Sequence, residues 1–348
     1  MIQRRTLLKT GAAVALGTPA LVGMAQQSVT LKFHTFMAPQ SNVWINMHKA
    51  WMDRVEKDSG GRIKFEGYPA MQLGGSPVQL FDQARDGVVD IVWTLPGNTP
   101  GRFPRIEVFE LPFMMNNAEA TSKAYWEYVQ TVAKDEFKDV QPLALQVHGP
   151  GIFHMRSKQI KTAEDLRGSK VRGPTRQITK MLGYLGATPV GMPLPQIPDA
   201  LSKGVIDGCV IPWEVVPSVK VQELTKFHSE FDPAGGALYT TTFVMAMNKA
   251  KYASLPPDLR AVIDKNSGME TSAWLGKTQQ AGDVAGRESA VKQGNTIYTI
   301  PAAEAQEFRR KARLVEIEWM QDMDKRGFNG KELLDTAKAL IVKHGKKA

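Results

Sequence analysis

The stretch Ile160-Lys-Thr-Ala-Glu-Asp-Leu-Arg-Gly-Ser-Lys-Val-Arg-Gly-Pro174 predicts a short helical turn followed by a strand that ends at Arg172. Thr162 and Asp165 have the spacing of a capping box, which predicts that the turn begins at Thr162. Gly168 can take the left-handed conformation that ends such a turn. The stretch therefore predicts an open α/β sheet with a guanidinium at the carboxyl end of a strand, which is the edge where ligands bind in such sheets.

Two interpretations of Arg172 follow from this position. A guanidinium is planar and can hold a carboxylate through two parallel hydrogen bonds, so Arg172 is a candidate ligand-binding residue. The alternative is an arginine at the surface that forms an ion pair with a neighbouring acid. The stretch alone does not separate the two, and the rest of the chain has to decide.

An internal repeat indicates two lobes of similar construction. Residues Gln83–Trp93 have the pattern of a helix end, a glycine stop and a strand, and Ala200–Val210 repeat it, with Gly204-Val-Ile-Asp207 in the place of Gly87-Val-Val-Asp90. Strands and helices alternate in front of each copy, which is typical of βαβ units and predicts α/β lobes with mixed, mostly parallel sheets flanked by helices. A length of 348 residues also favours two domains.

The predicted elements follow the same order in both lobes. In the first lobe we expect strands at 31–36 and 63–68 and helices at 40–58 and 76–85. In the second we expect strands at 169–172 and 188–192 and helices at 175–185 and 195–203. The last third is mostly helical, with helices at 256–285, 302–326 and 330–342 and a strand at 296–300.

Eight short segments, in this order along the chain, resemble the solute-binding proteins of tripartite ATP-independent periplasmic (TRAP) transporters, the DctP-type family. The segments are Leu31–Phe33, Tyr68-Pro-Ala-Met-Gln-Leu-Gly74, Gly87–Asp90, Leu111-Pro-Phe113, Asp165–Arg172, Leu185-Gly-Ala-Thr-Pro189, Gly204–Gly208 and Leu255-Pro-Pro-Asp-Leu259. No single segment is decisive, but together they run through about two-thirds of the chain that follows residue 25.

The resemblance implies the two-lobed fold of periplasmic solute-binding proteins, with one long helix that spans both lobes. It implies crossings between the lobes near Gly149, near Gly235-Gly236 and near Gly276. The first lobe would then comprise residues 26–149 and 236–276, and the second residues 150–235 and 277–348. It also implies that Arg172 is the arginine that holds the substrate carboxylate.

Two departures from the family pattern narrow the ligand class. Many relatives that bind dicarboxylates or sialic acid carry a second arginine where this chain has Ile152 or Phe153. Relatives that bind 2-oxo acids through a metal ion use an acidic residue near the position of Ile211, and Glu214 is out of step with it. Both departures favour a ligand with a single carboxylate, and we predict no metal and no cofactor.

The expected cleft residues are mostly aromatic or apolar, which predicts a hydrophobic pocket with one carboxylate clamp. They are Phe36, Trp93, Phe153, Ile211 and Trp213. Three further residues could donate hydrogen bonds to a hydroxyl or keto group: His154, Thr175 and Thr240. Each of these could instead be core packing or a backbone cap. The predicted ligand is an aromatic or apolar monocarboxylate, such as an arylacetate, benzoylformate, mandelate or cinnamate-type acid, with small 2-hydroxy or branched 2-oxo acids as the alternative.

The amino terminus resembles a twin-arginine export signal, Met1-Ile-Gln-Arg-Arg-Thr-Leu-Leu-Lys9. The apolar stretch Gly11–Met24 is too short and too interrupted to span a bilayer, and Gly23-Met-Ala25 predicts cleavage after Ala25. We therefore expect residues 1–25 to be a signal peptide and the mature protein to be periplasmic. A short buried helix at the amino terminus is the alternative.

Charge and motifs argue against several other functions. The net charge of +9 falls to +6 without residues 1–25, and no basic–aromatic stripe indicates nucleic-acid binding. The single cysteine, Cys209, lies in an apolar run and is predicted to be a buried structural thiol. No metal-binding, phosphate-loop or nucleophile-elbow motif is present. We expect a receptor that delivers a small organic carboxylate to TRAP membrane permease subunits. An exported enzyme and a chemosensory adaptor are the alternatives. We expect the protein to be a monomer, and a dimer is the alternative.

Overall fold

The computed structural model describes residues 28–346. The predicted signal peptide, its cleavage site and the last two residues lie outside the described residues. The strands, β1 to β11 in chain order, are Val29–Thr35, Ile63–Tyr68, Ile91–Thr94, Val140–Val147, Gly151–Met155, Lys170–Gly173, Thr188–Gly191, Gly208–Pro212, Phe227–Phe231, Thr242–Asn248 and Thr296–Ile300. The α-helices, α1 to α12, are Ala50–Asp58, Leu80–Arg85, Ala118–Tyr128, Arg176–Tyr184, Ile197–Ser202, Val221–Leu224, Lys249–Ser254, Pro257–Lys265, Met269–Ala281, Asp283–Lys292, Ala302–Lys325 and Gly330–Gly345.

The strands form two mixed sheets, one in each lobe, which confirms the predicted α/β class. The first sheet has five strands in the order β2-β1-β3-β10-β4, and the second has six in the order β11-β9-β5-β8-β6-β7. In the first, β1 runs parallel to β2 and β3, while β10 is antiparallel to β3 and β4. In the second, β5 is antiparallel to both of its neighbours and the other pairings are parallel. The parallel strands of the two sheets place their carboxyl ends at the same cleft.

The internal repeat corresponds to the same hydrogen bond in both lobes. The carboxylate of Asp90, just before β3, accepts a hydrogen bond from the backbone N–H of Lys32 in β1 at 2.7 Å. The carboxylate of Asp207, just before β8, accepts one from the backbone N–H of Lys170 in β6 at 2.8 Å. Each aspartate thus links two adjacent parallel strands, which is why the sequence repeats at this point.

The predicted capping box at the start of the Arg172 segment is present. The carboxylate of Asp165 accepts a hydrogen bond from the backbone N–H of Thr162 at 2.8 Å, and a 3-10 turn spans Ala163–Leu166. Gly168 has a φ of 74°, the left-handed conformation that ends this turn. The chain then enters β6 at Lys170 and reaches the cleft at Arg172 and Gly173.

Two predicted helices differ in detail from the structure. The helix expected at 40–58 begins as a π-helical stretch, Val43–Lys49, and continues as α1. The helix expected at 256–285 is divided into α8, α9 and α10, because Gly268 takes a φ of 91° before α9 and the chain bends again at Gly282. None of the helices within residues 28–346 is both long and apolar enough to cross a membrane.

The helices α9 and α10 follow each other and connect the two lobes. α9 packs on α3 and β4 of the first lobe, whereas α10 packs on α6 and on the 3-10 turn Trp213–Val215 of the second. The change of lobe therefore lies at Gly282 and not at Gly276. Gly276 lies inside the contact between α9 and α3, where a side chain would collide with Ser122.

The last helix packs differently from its predicted place in the second lobe. α12 lies mainly against α3 of the first lobe and also contacts α11. Lys343 and His344 of α12 both pair with Glu127 of α3, with the His344 Nε2 atom 2.7 Å from the carboxylate. By its packing, α12 belongs with the first lobe, a position that the order of elements along the chain does not reveal.

Candidate ligand-binding site

A small cavity lies between the lobes, at the carboxyl ends of parallel strands. Residues that follow five different strands line it: Phe36, Met37, Leu95, Pro174, Leu194, Glu214 and Val215. The cavity thus occupies the sheet edge at which ligands bind in open α/β folds.

Arg172 lines this cavity and is 3% exposed. Its Nε atom donates to the Met192 carbonyl at 2.8 Å, and one Nη atom donates to the Val210 carbonyl at 3.3 Å. Burial lowers the pKa of Arg172, and the charged or titratable groups that act on it are Tyr239 and Cys209, neither of them a carboxylate. Two backbone carbonyls therefore hold the guanidinium in place, and within residues 28–346 no acid neutralises it. A buried cation in this state favours an anionic ligand.

Two further polar side chains lie beside Arg172 in the cavity wall. The hydroxyl group of Tyr239 is buried and has no hydrogen-bond partner in the described part of the chain. The Nδ1 atom of His148 is hydrogen-bonded to the carbonyl of Gly149, and burial lowers its pKa to about 4, with a smaller effect from the charge of Arg172. His148 is therefore neutral at pH 7, and Tyr239 has an unused donor close to the guanidinium.

Aromatic rings form the wall of the cavity on the side of the first lobe. Trp93 and Phe243 stack with ring centroids 4.3 Å apart and an angle of 13° between the ring planes. Phe36 packs against Trp93 at 5.6 Å, and His148 contacts Phe243 at 5.9 Å. Flat rings in this arrangement suit an aromatic or branched apolar ligand through stacking and edge contacts.

Glu214 and Gln279 form a polar part of the same cavity wall. The Nε2 atom of Gln279 donates to Oε1 of Glu214 at 2.7 Å, while Oε2 of Glu214 is buried and has no partner among the described residues. Burial raises the pKa of Glu214 to about 8, and the neighbouring Asp283 raises it further against the hydrogen bond from Gln279, which lowers it. Glu214 is therefore mostly a neutral carboxylic acid at pH 7.

The two lobes also contact each other next to the cavity. Arg176, at the start of α4, donates to both carboxylate oxygens of Glu107 in the first lobe, at 2.6 and 2.5 Å. Gln177 donates to the same carboxylate at 2.7 Å. Arg176 lies only four residues after Arg172, so the segment that carries the guanidinium into the cavity also makes this contact between the lobes.

The structure places Arg172, Phe36, Trp93 and Ile211 together in the cavity wall, whereas five other predicted residues do not line it. Phe153 packs in the core of the second lobe against Phe231 and Phe308, with ring centroids 6.3 and 6.0 Å away. The physical reason is register: Phe153 pairs with Val210, two residues inside the cleft edge of the sheet. The prediction that Phe153 lies in the cleft is therefore wrong.

His154 and Trp213 are also placed behind the cavity. The Nε2 atom of His154 lies 3.1 Å from the carbonyl of Ile211, and its Nδ1 atom lies 2.7 Å from Nδ1 of His228. The indole of Trp213 donates to Glu230 at 2.9 Å, on the far side of the crossing between the lobes. His154 thus supports a cavity residue from behind without lining the cavity.

Thr240 has a structural partner of its own, and Thr175 packs against the first lobe. The hydroxyl of Thr240 donates to the carbonyl of His148 at 2.7 Å. Thr175 precedes α4, and its methyl group packs against Gly97 of the first lobe, beside Glu110. Alternation along the chain explains the first case, because Tyr239, Thr241 and Phe243 face the cavity and Thr240 faces away.

Several cavity residues are absent from the sequence-based prediction. They are Met37, Leu95, His148, Pro174, Leu194, Pro212, Glu214, Val215, Tyr239, Thr241, Phe243 and Gln279. One signal was available, because Tyr239, Thr241 and Phe243 alternate with period two directly after Gly235-Gly236 and so have the pattern of a strand with one face towards a site. Gln279 had no such signal, since its place depends on how α9 packs. Nowhere in residues 28–346 do three His, Cys, Asp or Glu side chains group as metal ligands.

Comparison with known proteins assigns the family. The model of bacterial extracellular solute-binding protein family 7 (DctP) matches residues 34–321. The chain belongs to this family. The resemblance to the solute-binding proteins of TRAP transporters is thereby confirmed, and as a member of an extracellular solute-binding family the protein is periplasmic.

Solved structures of TRAP solute-binding proteins are similar over most of the chain. A TRAP solute-binding protein from Rhodoferax ferrireducens T118, in complex with copurified benzoate, is 75% identical, with a TM-score of 0.91 over 91% of this chain and 99% of its own. A marine metagenome protein specific for aromatic acid ligands, with 3-hydroxybenzoate, is 50% identical, with a TM-score of 0.90 over 92% and 100%. A Bordetella bronchiseptica protein with bound mandelate is 26% identical, with a TM-score of 0.82 over 90% and 99%.

Proposed function

We propose that this family-7 protein is the receptor of a TRAP transporter and captures an aromatic monocarboxylate of the benzoate type, which it delivers to membrane permease subunits. The observation that carries the proposal is the buried guanidinium of Arg172, which lacks a carboxylate partner and faces a cavity walled by Phe36, Trp93 and Phe243. The similar proteins whose structures contain benzoate, 3-hydroxybenzoate and mandelate support this ligand class.

The charges of the cavity wall favour one carboxylate over two. Arg172 is the one cationic side chain that lines the cavity within residues 28–346, because His148 is neutral. The second carboxylate of a dicarboxylate would lie buried without a cation, which is unfavourable. A sugar acid would place several hydroxyl groups against aromatic rings that offer no hydrogen bonds. The wall therefore suits a ligand with one charge and an apolar ring.

We also propose that the protein is a receptor and not an enzyme. Burial raises the pKa of the Cys209 thiol to about 12, so that it is not a thiolate nucleophile at pH 7. The histidine of the cavity wall, His148, uses Nδ1 on a backbone carbonyl and has no serine, cysteine or carboxylate beside it in the hydrogen bonds of the described chain. This arrangement serves binding and has no nucleophile–base pair of the kind that acyl-transfer enzymes use.

Thermal unfolding of the protein from residue 26 onward, against a panel of acids, tests the proposal. The panel contains benzoate, mandelate, phenylacetate, succinate, glucuronate and pyruvate. Benzoate at about one hundred times its Kd should stabilise the fold by about 2.7 kcal/mol, which corresponds to several degrees in Tm. A shift with succinate or glucuronate that exceeds the shift with every aromatic acid would refute the proposed ligand class. Pyruvate as the strongest ligand would favour the small 2-oxo acid alternative.

A further inference from the structure

We propose that Glu214 and Gln279 form a second recognition element in the cavity, a hydrogen-bonding pole that selects aromatic acids with a hydroxyl group on the ring. The inference rests on the proposed function, because it assumes that the ligand carboxylate lies at Arg172 and that its ring lies against the aromatic wall. The substituent that Glu214 and Gln279 would recognise is a hydroxyl group on that ring.

A chain of side-chain hydrogen bonds determines the direction of every donor in the pole. The indole N–H of Trp93 can only donate, and it lies 3.3 Å from Oε1 of Gln146. The other end of the Gln146 amide, Nε2, therefore donates to Oε1 of Gln279, at 3.0 Å. By the same logic Nε2 of Gln279 donates to Oε1 of Glu214, at 2.7 Å. This series of hydrogen bonds runs from the aromatic wall to Glu214 and ends there.

The end of this chain is an unused polar atom. Oε1 of Glu214 accepts from Gln279, whereas Oε2 is buried without a partner, and the residue as a whole is 5% exposed. In the neutral acid the proton lies on Oε2, because Oε1 is already an acceptor. A buried donor of this kind is costly when it is left unpaired, and the cavity that Glu214 lines is where a partner can come from.

The pole and the arginine lie in different parts of the cavity wall. Arg172 is held by the Met192 and Val210 carbonyls, on the side of β7 and β8. Glu214 extends towards α9, where Gln279 donates to it, and Gln279 in turn accepts from Gln146 of β4. Both residues line the same cavity, so one ligand with a carboxylate and a separate polar substituent can contact both.

A hydroxyl group suits the pole better than other substituents. It can accept from the Oε2–H group of neutral Glu214, and it can donate if Glu214 is ionised, since a hydroxyl is both donor and acceptor. A fluorine atom of similar size provides neither function to a useful extent. A site with a fixed polar group discriminates strongly against an analogue that leaves this group unpaired.

The test compares ring-substituted benzoates by titration calorimetry. The ligands are benzoate, the three monohydroxybenzoates and the three monofluorobenzoates. The proteins are the wild type, Glu214→Gln, Glu214→Met and, as a matched control, Glu288→Met at an exposed position of α10. In the wild type, one hydroxybenzoate should bind about tenfold more tightly than its fluoro counterpart, as expected for one well-made buried hydrogen bond.

The variants distinguish a preference caused by the hydrogen bond to Glu214 from one caused by the fit of the hydroxyl group in the cavity. In Glu214→Gln the amide can accept from Gln279 and still donate into the cavity, so the preference should remain. In Glu214→Met it should fall to about one, and in Glu288→Met it should match the wild type. If Glu214→Met does not fold, Glu214→Leu takes its place with the same expected loss of the preference.

Two results would overturn the inference while leaving the proposed function intact. The first is benzoate binding with every hydroxybenzoate within about twofold of its fluoro counterpart. The second is a tenfold preference that persists in Glu214→Met. Failure of all aromatic acids to bind would instead refute the proposed function itself, and the inference with it.

Discussion

Replacement of Arg176 with methionine should weaken benzoate binding by about 30-fold, although Arg176 does not line the cavity. The guanidinium of Arg176 donates to both oxygens of Glu107 across the lobes, at 2.6 and 2.5 Å. The side chain of Glu107 is 6% exposed and that of Arg176 is 24% exposed. Arg176 also pairs with Asp322 of α11, at 2.9 Å, and α11 packs on α4 of the same lobe. When the lobes separate, Glu107 regains water, so the part of the cost that comes from Glu107 falls on the closed arrangement.

The size of the effect follows from this geometry. Removal of one partner of a buried charge pair costs about 2–5 kcal/mol, mainly because the other charge is left unpaired. The lower end applies here, since Arg176 is a quarter exposed and Gln177 still donates to Glu107 at 2.7 Å. A cost of about 2 kcal/mol is a factor of about 30 in Kd. It should appear as faster dissociation, because most affinity changes within one complex lie in the off-rate.

Titration calorimetry and stopped-flow dissociation of benzoate measure both quantities. Arg310→Met is the matched control, because Arg310 pairs with Glu307 within the exposed face of α11, at 2.6 Å, and its side chain is 71% exposed. The control should keep the wild-type Kd. A Kd for Arg176→Met within twofold of the wild type would refute the reasoning, since the bidentate pair would then contribute nothing to closure.

Three further changes have expected outcomes. Arg172→Met should abolish the thermal shift with benzoate. It should leave the unliganded protein at least as stable as the wild type, because it removes a buried cation that has no counter-ion. A large loss of stability in the absence of ligand would contradict this. Tyr239→Phe should raise the Tm of the unliganded protein and weaken benzoate binding by about tenfold, because the cavity wall loses a hydroxyl that has no partner without ligand. Unchanged affinity would show that Tyr239 does not bind the ligand carboxylate. Burial raises the pKa of Glu214 from 4.5 to about 8, so the folded state retains a proton that the unfolded chain releases. The free energy of unfolding should therefore fall by about 1.4 kcal/mol per pH unit through that window and level off above about pH 8, and urea unfolding of Glu214→Gln should lack this contribution.

The parts of the fold that could be predicted are those with local signals. Thr162, Asp165 and Gly168 lie within one short segment, and their capping and turn chemistry is present in the structure. The repeated Gly-x-x-Asp segments led to the two lobes because each aspartate makes a bond that both lobes require. Arg172, Phe36 and Trp93 reached the cavity wall because each lies at or next to the carboxyl end of a parallel strand.

The parts that could not be predicted depend on antiparallel strands and on tertiary packing. β4 and β10 return the chain to the first sheet, and they bring Gln146, His148, Tyr239 and Phe243 to or beside the cavity from positions far apart in sequence. The register of β5 places Phe153 two residues inside the edge of the sheet and not in the cleft where it was predicted. The alternation of Tyr239, Thr241 and Phe243 indicates a strand face, but no local pattern shows which sheet that strand joins or the register of β5.

A crystal structure of the protein with benzoate is the most direct test of the central claim. We expect the carboxylate to lie within hydrogen-bond distance of the guanidinium of Arg172 and the hydroxyl of Tyr239, with the ring against Trp93 and Phe36. Benzoate outside this cavity, or with its carboxylate turned away from Arg172, would contradict it.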